Sequence, residues 1–266
     1  MRAAAVTLML TALAAPAFGE AQAAAPTRWP RVAISATFSG EEVFLYGHAP
    51  EGTQQVVAIL EGPPAGHVRL MKKGRVALFW LGIRQYSLGG VPGLYLVHLS
   101  CPICQGLARC RHADDAALEP LAARVGFPLG PAAINARGEL ECLSGPLEAG
   151  EAERAFQGYW DLQSGRGLYR VTPNAVRLNQ RGAYYHRFML PSQAPEGRYT
   201  VTTIFLGAAG TTGTEVSTFF VRASGLVAWM TRLADRHAAA YGVFSIVIAV
   251  AAGWLAGVLF RRGGGH

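Results

Sequence analysis

The sequence lacks the motifs of the common catalytic centres. It contains no G-x-S-x-G nucleophile elbow, no H-E-x-x-H metal site, no phosphate-binding loop and no paired-carboxylate signature. The C-x-x-C pair formed by Cys101 and Cys104 is followed by Gln105 instead of histidine, which excludes attachment of c-type haem. These absences favour a role that is not enzymatic.

Acidic residues are the scarcer charge, 17 against 24 lysines and arginines, and the formal net charge is +7. The basic residues are scattered along the chain, so there is no nucleic-acid footprint and nucleic acid is not an expected partner. Attraction to anionic lipid headgroups is the simpler account, which makes membrane lipid an expected partner. The hydrophobic share of 51% exceeds the usual globular value, and part of that excess lies at the two termini.

Residues 1–23 read as a secretory signal peptide. Met1-Arg2 gives a positive start, a short apolar stretch follows, and Ala21 and Ala23 offer an A-x-A cleavage site. The alternative is a buried N-terminal helix, although this alanine-rich stretch has no polar face to turn toward water. We therefore expect the chain that follows to be exported.

A second apolar segment, residues 241–260, carries no charge and is long enough for a helix to cross a hydrocarbon core of about 30 Å. Gly253 and Gly257 have the spacing at which two membrane helices approach closely, which indicates a face for partner packing. Arg261 and Arg262 follow directly, so the positive-inside rule places the tail 261–266 in the cytoplasm. The sequence thus predicts a single-pass protein of the inner membrane with its N-terminal domain in the periplasm.

Residues 225–240 precede this span and separate apolar from charged side chains. The pattern predicts an amphipathic helix at the headgroup boundary, and the alternative is a plain extension of the membrane helix.

Residues 26–223 alternate apolar with polar positions in short runs set apart by Gly and Pro. The pattern predicts a mainly β periplasmic domain, an immunoglobulin-like β-sandwich. The phrase 190–201 resembles the corner of such sandwiches, with Tyr199 as the aromatic that packs into the corner. Predicted strands cover 32–38, 43–48, 55–60, 67–71, 76–81, 94–99, 175–178, 184–190, 199–206 and 215–221.

Helical spacing interrupts the β pattern at 101–166, which we interpret as a helical insertion. Asp114 is placed to cap a helix over 116–125, and residues 151–163 form a second helical stretch. Four histidines in or beside the predicted strands have no obvious partner in the sequence, and we interpret each as structural: His48, His67, His98 and His186.

All four cysteines lie in the insertion, at Cys101, Cys104, Cys110 and Cys142. In an exported domain an even count indicates two disulfides, and 101–104 with 110–142 is the favoured pairing. A strand that delivers C-x-x-C to a helix start also resembles a thioredoxin-like redox motif. A third interpretation is a zinc site formed by Cys101, Cys104, Cys110 and His112.

The layout resembles an uncharacterised family of transmembrane proteins of alphaproteobacterial type. The resemblance covers most of the chain and implies topology, because no reaction, cofactor or catalytic residue is attached to that family. The cysteine cluster departs from the family pattern. The resemblance rests on residues 34–40 (ISATFSG), 43–47 (VFLYG), 56–64 (VVAILEGPP), 167–170 (GLYR), 252–256 (AGWLA) and 260–262 (FRR).

These features predict a membrane-anchored periplasmic accessory protein that docks an inner-membrane transporter or an envelope complex. The alternative function is a membrane-tethered thiol-disulfide or metal-handling protein that uses Cys101 and Cys104. No cofactor is required by the first reading, and zinc would serve only the second.

Overall fold

The structure is a computed structural model that describes residues 32–34, 40–100 and 115–261. It confirms the predicted mainly β class. The strands are β1 Val32–Ile34, β2 Gly40–His48, β3 Gln55–Glu61, β4 Val68–Val76, β5 Phe79–Gly89, β6 Tyr95–Ser100, β7 Glu139–Cys142, β8 Tyr169–Leu178, β9 Ala183–Pro191, β10 Gly197–Leu206 and β11 Thr211–Ala223. The helices are α1 Asp115–Val125, α2 Pro131–Arg137, α3 Glu151–Gly165, α4 Gly225–Arg236 and α5 Ala238–Arg261.

Eight strands form one sheet in the order β1-β11-β10-β3-β6-β8-β9-β2. Its neighbours are antiparallel except in the pairs β1–β11 and β6–β8. A parallel pair needs a long crossover connection, and the chain between β6 and β8 provides one that contains α1, α2, β7 and α3. The segment 101–166, predicted as a helical insertion, therefore carries a short strand as well as helices.

The sheet curls until strands that are distant in its order touch. Tyr184 of β9 donates a hydrogen bond to Glu215 of β11 at 2.9 Å, and its ring lies 5.4 Å from that of Phe205 in β10. An immunoglobulin domain instead packs two separate antiparallel sheets. The immunoglobulin-like part of the prediction is therefore not confirmed.

The corner predicted around Tyr199 has a local likeness to those domains. Tyr199 is fully buried, its hydroxyl donates to the Pro195 carbonyl at 2.6 Å, and its ring stacks on Phe219 at 5.2 Å. A tyrosine hydroxyl bonded to the backbone just upstream is also what fixes the corner of immunoglobulin domains.

Strands β4, β5 and β7 form a second sheet, and a buried carboxylate fixes it to α3. Glu151 accepts a hydrogen bond from the Tyr86 hydroxyl at 2.5 Å, and Arg84 Nη2 lies 3.0 Å from its other oxygen. Burial raises the pKa of Tyr86 to about 12, while the hydrogen bond from Tyr86 lowers the pKa of Glu151. The phenol therefore stays protonated beside an ionised carboxylate at neutral pH, which strengthens the bonds between them.

Helices α4 and α5 follow the last strand. Within α5, Tyr241–Val258 is long and apolar enough to cross a membrane, and none of its residues is buried by the part of the protein that the structure describes. Trp229 of α4 packs on Phe244 of α5 with ring centroids 5.6 Å apart, so the two helices meet at an angle and do not form one continuous rod. The placement of α4 at the headgroup boundary stays a prediction, as does the signal peptide, which lies outside the described residues.

Tyr169, at the start of β8, joins the crossover helices to the sheet. Its ring lies 6.1 Å from Tyr95, 5.7 Å from Tyr159 and 5.3 Å from Trp160, all in edge-on or tilted contact. Its hydroxyl donates to the Pro92 carbonyl at 2.6 Å. Aromatic pairs in these orientations stabilise beyond the area that they bury, so this cluster holds α3 against the domain.

We expect Tyr169→Ala to lower the free energy of unfolding by about 3–5 kcal/mol, because it removes a large buried ring. Tyr169→Phe keeps the ring and loses only the hydrogen bond, at a cost of about 1 kcal/mol. The matched control is Tyr185→Phe at an exposed position, expected within about 0.5 kcal/mol of the parent. Urea unfolding of the detergent-solubilised chain measures the free energy of all three variants. A loss in Tyr169→Ala no larger than that in Tyr185→Phe would contradict the stabilising role of the Tyr169 cluster.

Candidate functional site

The outer surface of β2 and β9 carries an apolar patch, which we call the aromatic face. Its members are between 44% and 65% exposed, whereas the side chains that alternate with them, such as Val43, Leu45 and Phe188, point into the core. The aromatic face consists of Phe44, Tyr46, Tyr185 and Met189. Aromatic residues and methionine are enriched in protein interfaces, so this composition is typical of a docking surface.

Strand pairing brings the aromatic face together. Tyr46 lies directly opposite Tyr185 in the β2–β9 register, and the rings of Phe44 and Tyr185 are 6.1 Å apart. Strand β2 ends the order of the eight-stranded sheet, and among the described residues it pairs only with β9. The face therefore lies beside an open sheet edge, which is itself a surface for recognition.

A cleft of about 560 Å³ adjoins this face. It forms because β8 and β9 pair only at Arg177 with Tyr185 and Leu178 with Tyr184, and the strands then separate. Three arginines line it, namely Arg170, Arg177 and Arg187. Arg187 pairs with Glu42 at 3.0 Å, while neither of the other two lies within 4.0 Å of a carboxylate among the described residues. The cleft is therefore basic.

Two buried imidazoles, those of His98 and His186, also line the cleft. His98 Nδ1 lies 2.6 Å from His186 Nε2, and His186 Nδ1 lies 2.9 Å from the Ala175 carbonyl oxygen. A carbonyl only accepts, so His186 carries its proton on Nδ1 and His98 donates to Nε2. The stacked ring of Phe188 lies 4.8 Å from His98.

Both imidazoles are held neutral. Burial lowers the pKa of His98 to about 3, with His186 and Arg170 adding to the effect, and burial likewise lowers the pKa of His186. No partner for either residue is visible in the sequence, and in the structure each is the partner of the other. The two residues are 88 positions apart in sequence, so only the packing of β6 against β8 and β9 reveals the pair.

The predicted cysteine sites are placed only in part. Cys101, Cys104 and Cys110 lie outside the described residues with His112, so the disulfide, redox and zinc interpretations stay predictions. Cys142 ends β7, is half-buried and forms no disulfide among the described residues, and Arg84 Nη2 donates to its sulfur at 3.4 Å. Within 32–34, 40–100 and 115–261, no three side chains of His, Cys, Asp or Glu are grouped to hold a metal.

The predicted packing positions on α5 are open. A Cβ placed at Gly253 or Gly257 would meet no atom of the described residues within 4 Å. The structure therefore leaves room for a second helix to approach at this spacing, and such packing stays a prediction.

A helix long and apolar enough to cross a bilayer follows a curled β domain, a layout that is consistent with a membrane protein. Residues 25–262 match the family described as Putative transmembrane protein (Alph_Pro_TM), and the chain belongs to it. This confirms the family resemblance drawn from the sequence. No curated protein and no solved structure matches the chain.

The imidazole pair predicts a pH-dependent stability. The unfolded histidine has a pKa near 6.5 and folded His98 one of about 3, so the unfolded state binds more protons between these values. The contribution of His98 to the free energy of unfolding is therefore full above about pH 6.5 and decreases as the pH falls below that value. We expect a loss of about 2 kcal/mol between pH 7.5 and pH 5.

Urea unfolding at the two pH values measures this loss. His98→Asn keeps an N–H donor toward His186 but does not titrate. Between pH 7.5 and pH 5 this variant should therefore lose about 2 kcal/mol less of its free energy of unfolding than the parent loses. His67→Asn, at an exposed position, is the matched control and should behave like the parent. An unchanged pH dependence in His98→Asn would contradict the assignment.

Proposed function

We propose that the chain is an accessory protein of the inner membrane that docks a transporter or another envelope complex through the aromatic face. The observation that carries the proposal is the combination of exposed aromatic residues with the basic cleft beside them, on a domain joined to a membrane helix. Interfaces depend on a few aromatic and arginine anchors, and this surface presents both kinds.

The charge of the cleft specifies the chemistry of the partner. Arg170 and Arg177 lack a carboxylate partner within 4.0 Å among the described residues. A partner loop that carries Asp or Glu would pair with them, while its apolar residues contact Tyr46 and Tyr185. Charged pairs of this kind add specificity and speed association.

The proposed topology places the β domain in the periplasm and the tail 261–266 in the cytoplasm. Arg261 and Arg262, directly after the apolar span, support this orientation through the positive-inside rule. The predicted signal peptide at 1–23 supports it independently, because export of the first domain leaves α5 as a stop-transfer helix.

A second contact with the same partner is available inside the bilayer. The open positions at Gly253 and Gly257 would let a partner helix pack closely against α5. A partner that is itself an integral membrane protein can engage both surfaces at once, and linked contacts raise the apparent affinity.

Site-specific photo-crosslinking in native membranes tests the docking surface. A benzoylphenylalanine at position 46 or 185 should crosslink to one protein of defined mass. The matched control is position 216, an exposed valine in β11 that lies outside the aromatic face. Crosslinks of equal yield at 216, or crosslinks to lipid alone at all three positions, would overturn the proposal.

A charge-reversal pair tests the role of the cleft. Arg170→Glu with Arg177→Glu should reduce the crosslink from position 46 by at least about tenfold, since like charges across an interface cost more than 1.4 kcal/mol. The control reverses two arginines outside the cleft, Arg154 and Arg222, and should leave the yield unchanged. An equal yield in both double variants would remove the cleft from the interface.

A further inference from the structure

The β4–β5 hairpin exposes large apolar side chains at its tip. Leu78 is 80% exposed, Phe79 69% and Trp80 70%, and Leu81 and Ile83 are also exposed. Single exposed apolar residues are ordinary on protein surfaces, but a contiguous group marks a surface that meets a protein or a membrane.

The pairing of the two strands separates this surface into an apolar and a cationic face. Arg75 lies opposite Trp80, and Lys73 lies opposite Gly82, so the two cations share one face of the hairpin with the indole. Phe79 and Leu81, which alternate with these positions, point to the other face. One face of the tip is thus apolar, and the other carries Trp80 together with Lys73 and Arg75.

No acidic residue occurs between Glu61 and Asp114 in the sequence. The hairpin lies wholly within this acid-free stretch. Lys72 contacts Glu151 at 3.7 Å, whereas neither Lys73 nor Arg75 lies within 4.0 Å of a carboxylate among the described residues. A surface that combines Trp, aliphatic residues and unopposed cations matches the interface of an anionic bilayer, where rings lie at headgroup depth and cations meet phosphates.

The turn itself departs from the usual polar chemistry. Val76 pairs with Phe79, which leaves Ala77-Leu78 as a two-residue turn, and Ala77 has φ 55. Glycine is the favoured occupant of a first turn position with positive φ, because it has no Cβ to cause strain. Here an apolar pair takes the position, so water is not the environment that this turn suits best.

The hairpin is rooted at the end of the sheet from which the chain leaves for the membrane. Gly197 pairs with Val221 near the end of β11, two residues before that strand stops and shortly before α4 begins. A Cβ at Gly197 would lie 2.8 Å from Pro63, in the loop that leads into β4. The root of the hairpin and the start of the membrane anchor are therefore neighbours.

We propose that the tip of the β4–β5 hairpin inserts into the surface of an anionic bilayer as a second membrane contact beside α5. Leu78, Phe79 and Leu81 enter the boundary of the acyl chains, Trp80 lies at the headgroups, and Lys73 and Arg75 meet lipid phosphates. The bonds of Glu151 to Tyr86 and Arg84 hold the stem in place, so the tip is presented on a fixed support. This contact is separate from the aromatic face and does not rest on it.

Fluorescence quenching of the full chain in nanodiscs tests the insertion. A fluorescent amino acid is placed at position 78, or at position 46 as the matched exposed control, in discs of phosphatidylcholine with phosphatidylglycerol. Lipids brominated on their acyl chains should quench the label at 78 at least about threefold more than the label at 46. Aqueous iodide should show the opposite order.

A charge variant tests the role of the cations. Lys73→Glu and Arg75→Glu together should lower lipid quenching at 78 toward the value at 46 in anionic discs. The same variant should change it little in discs of phosphatidylcholine alone. A label at position 81 provides a second report if the label at 78 disturbs the hairpin.

Equal quenching by lipid at 78, 81 and 46 would overturn the proposal. Iodide protection at 78 that arises only after a membrane-protein extract is added would also overturn it, because a protein would then cover the tip. Neither result bears on crosslinking from positions 46 and 185, so the docking proposal can stand or fall on its own.

Discussion

Exposing the apolar side chains of α5 to water would cost free energy, and this cost constrains where the rest of the chain can lie. Apart from the contact of Phe244 with Trp229, its apolar segment Tyr241–Val258 stays exposed in the part of the chain that the structure describes, and lipid is the environment that would remove it from water. A domain tied to that helix works within a short distance of a bilayer. Surface features that would be liabilities on a free globular protein, such as the apolar hairpin, then lie within reach of a matching environment.

The parallel pair β6–β8 is the feature of the fold that creates the basic cleft. Parallel neighbours require a crossover connection, so β8 follows α3 along the chain and is not joined to β6 by a tight turn. It pairs with β6 along most of its length and reaches β9 only at its last two residues. The gap between β8 and β9 is the cleft. His186 lies on β9, which borders this gap, and His98 lies on β6, on the other side of β8, and meets His186 at 2.6 Å.

Much of the fold follows from the sequence. Alternating apolar and polar residues identify the half-buried strands, and the length of its apolar run identifies α5. Neither β7 nor α2 has such a pattern. β7 has four residues, two of them Glu, and is held by pairing with β5, while α2 has seven residues and begins at Pro131. The aromatic face could be expected in part, because Phe44 and Tyr46 occupy the outward positions of a predicted strand. The imidazole pair could not, because it depends on which strands become neighbours.

The junction of β8 with β9 is the place where the eight-stranded sheet has the fewest backbone pairs. Across it, the sheet is held by two residue pairs, by the hydrogen bond from His186 to the Ala175 carbonyl and by the one from His98 to His186, while the strands on either side are joined by long ladders. Of all neighbouring strands in the eight-stranded sheet, these two share the fewest residue pairs, so side-chain contacts and not a backbone ladder hold the sheet together at this line.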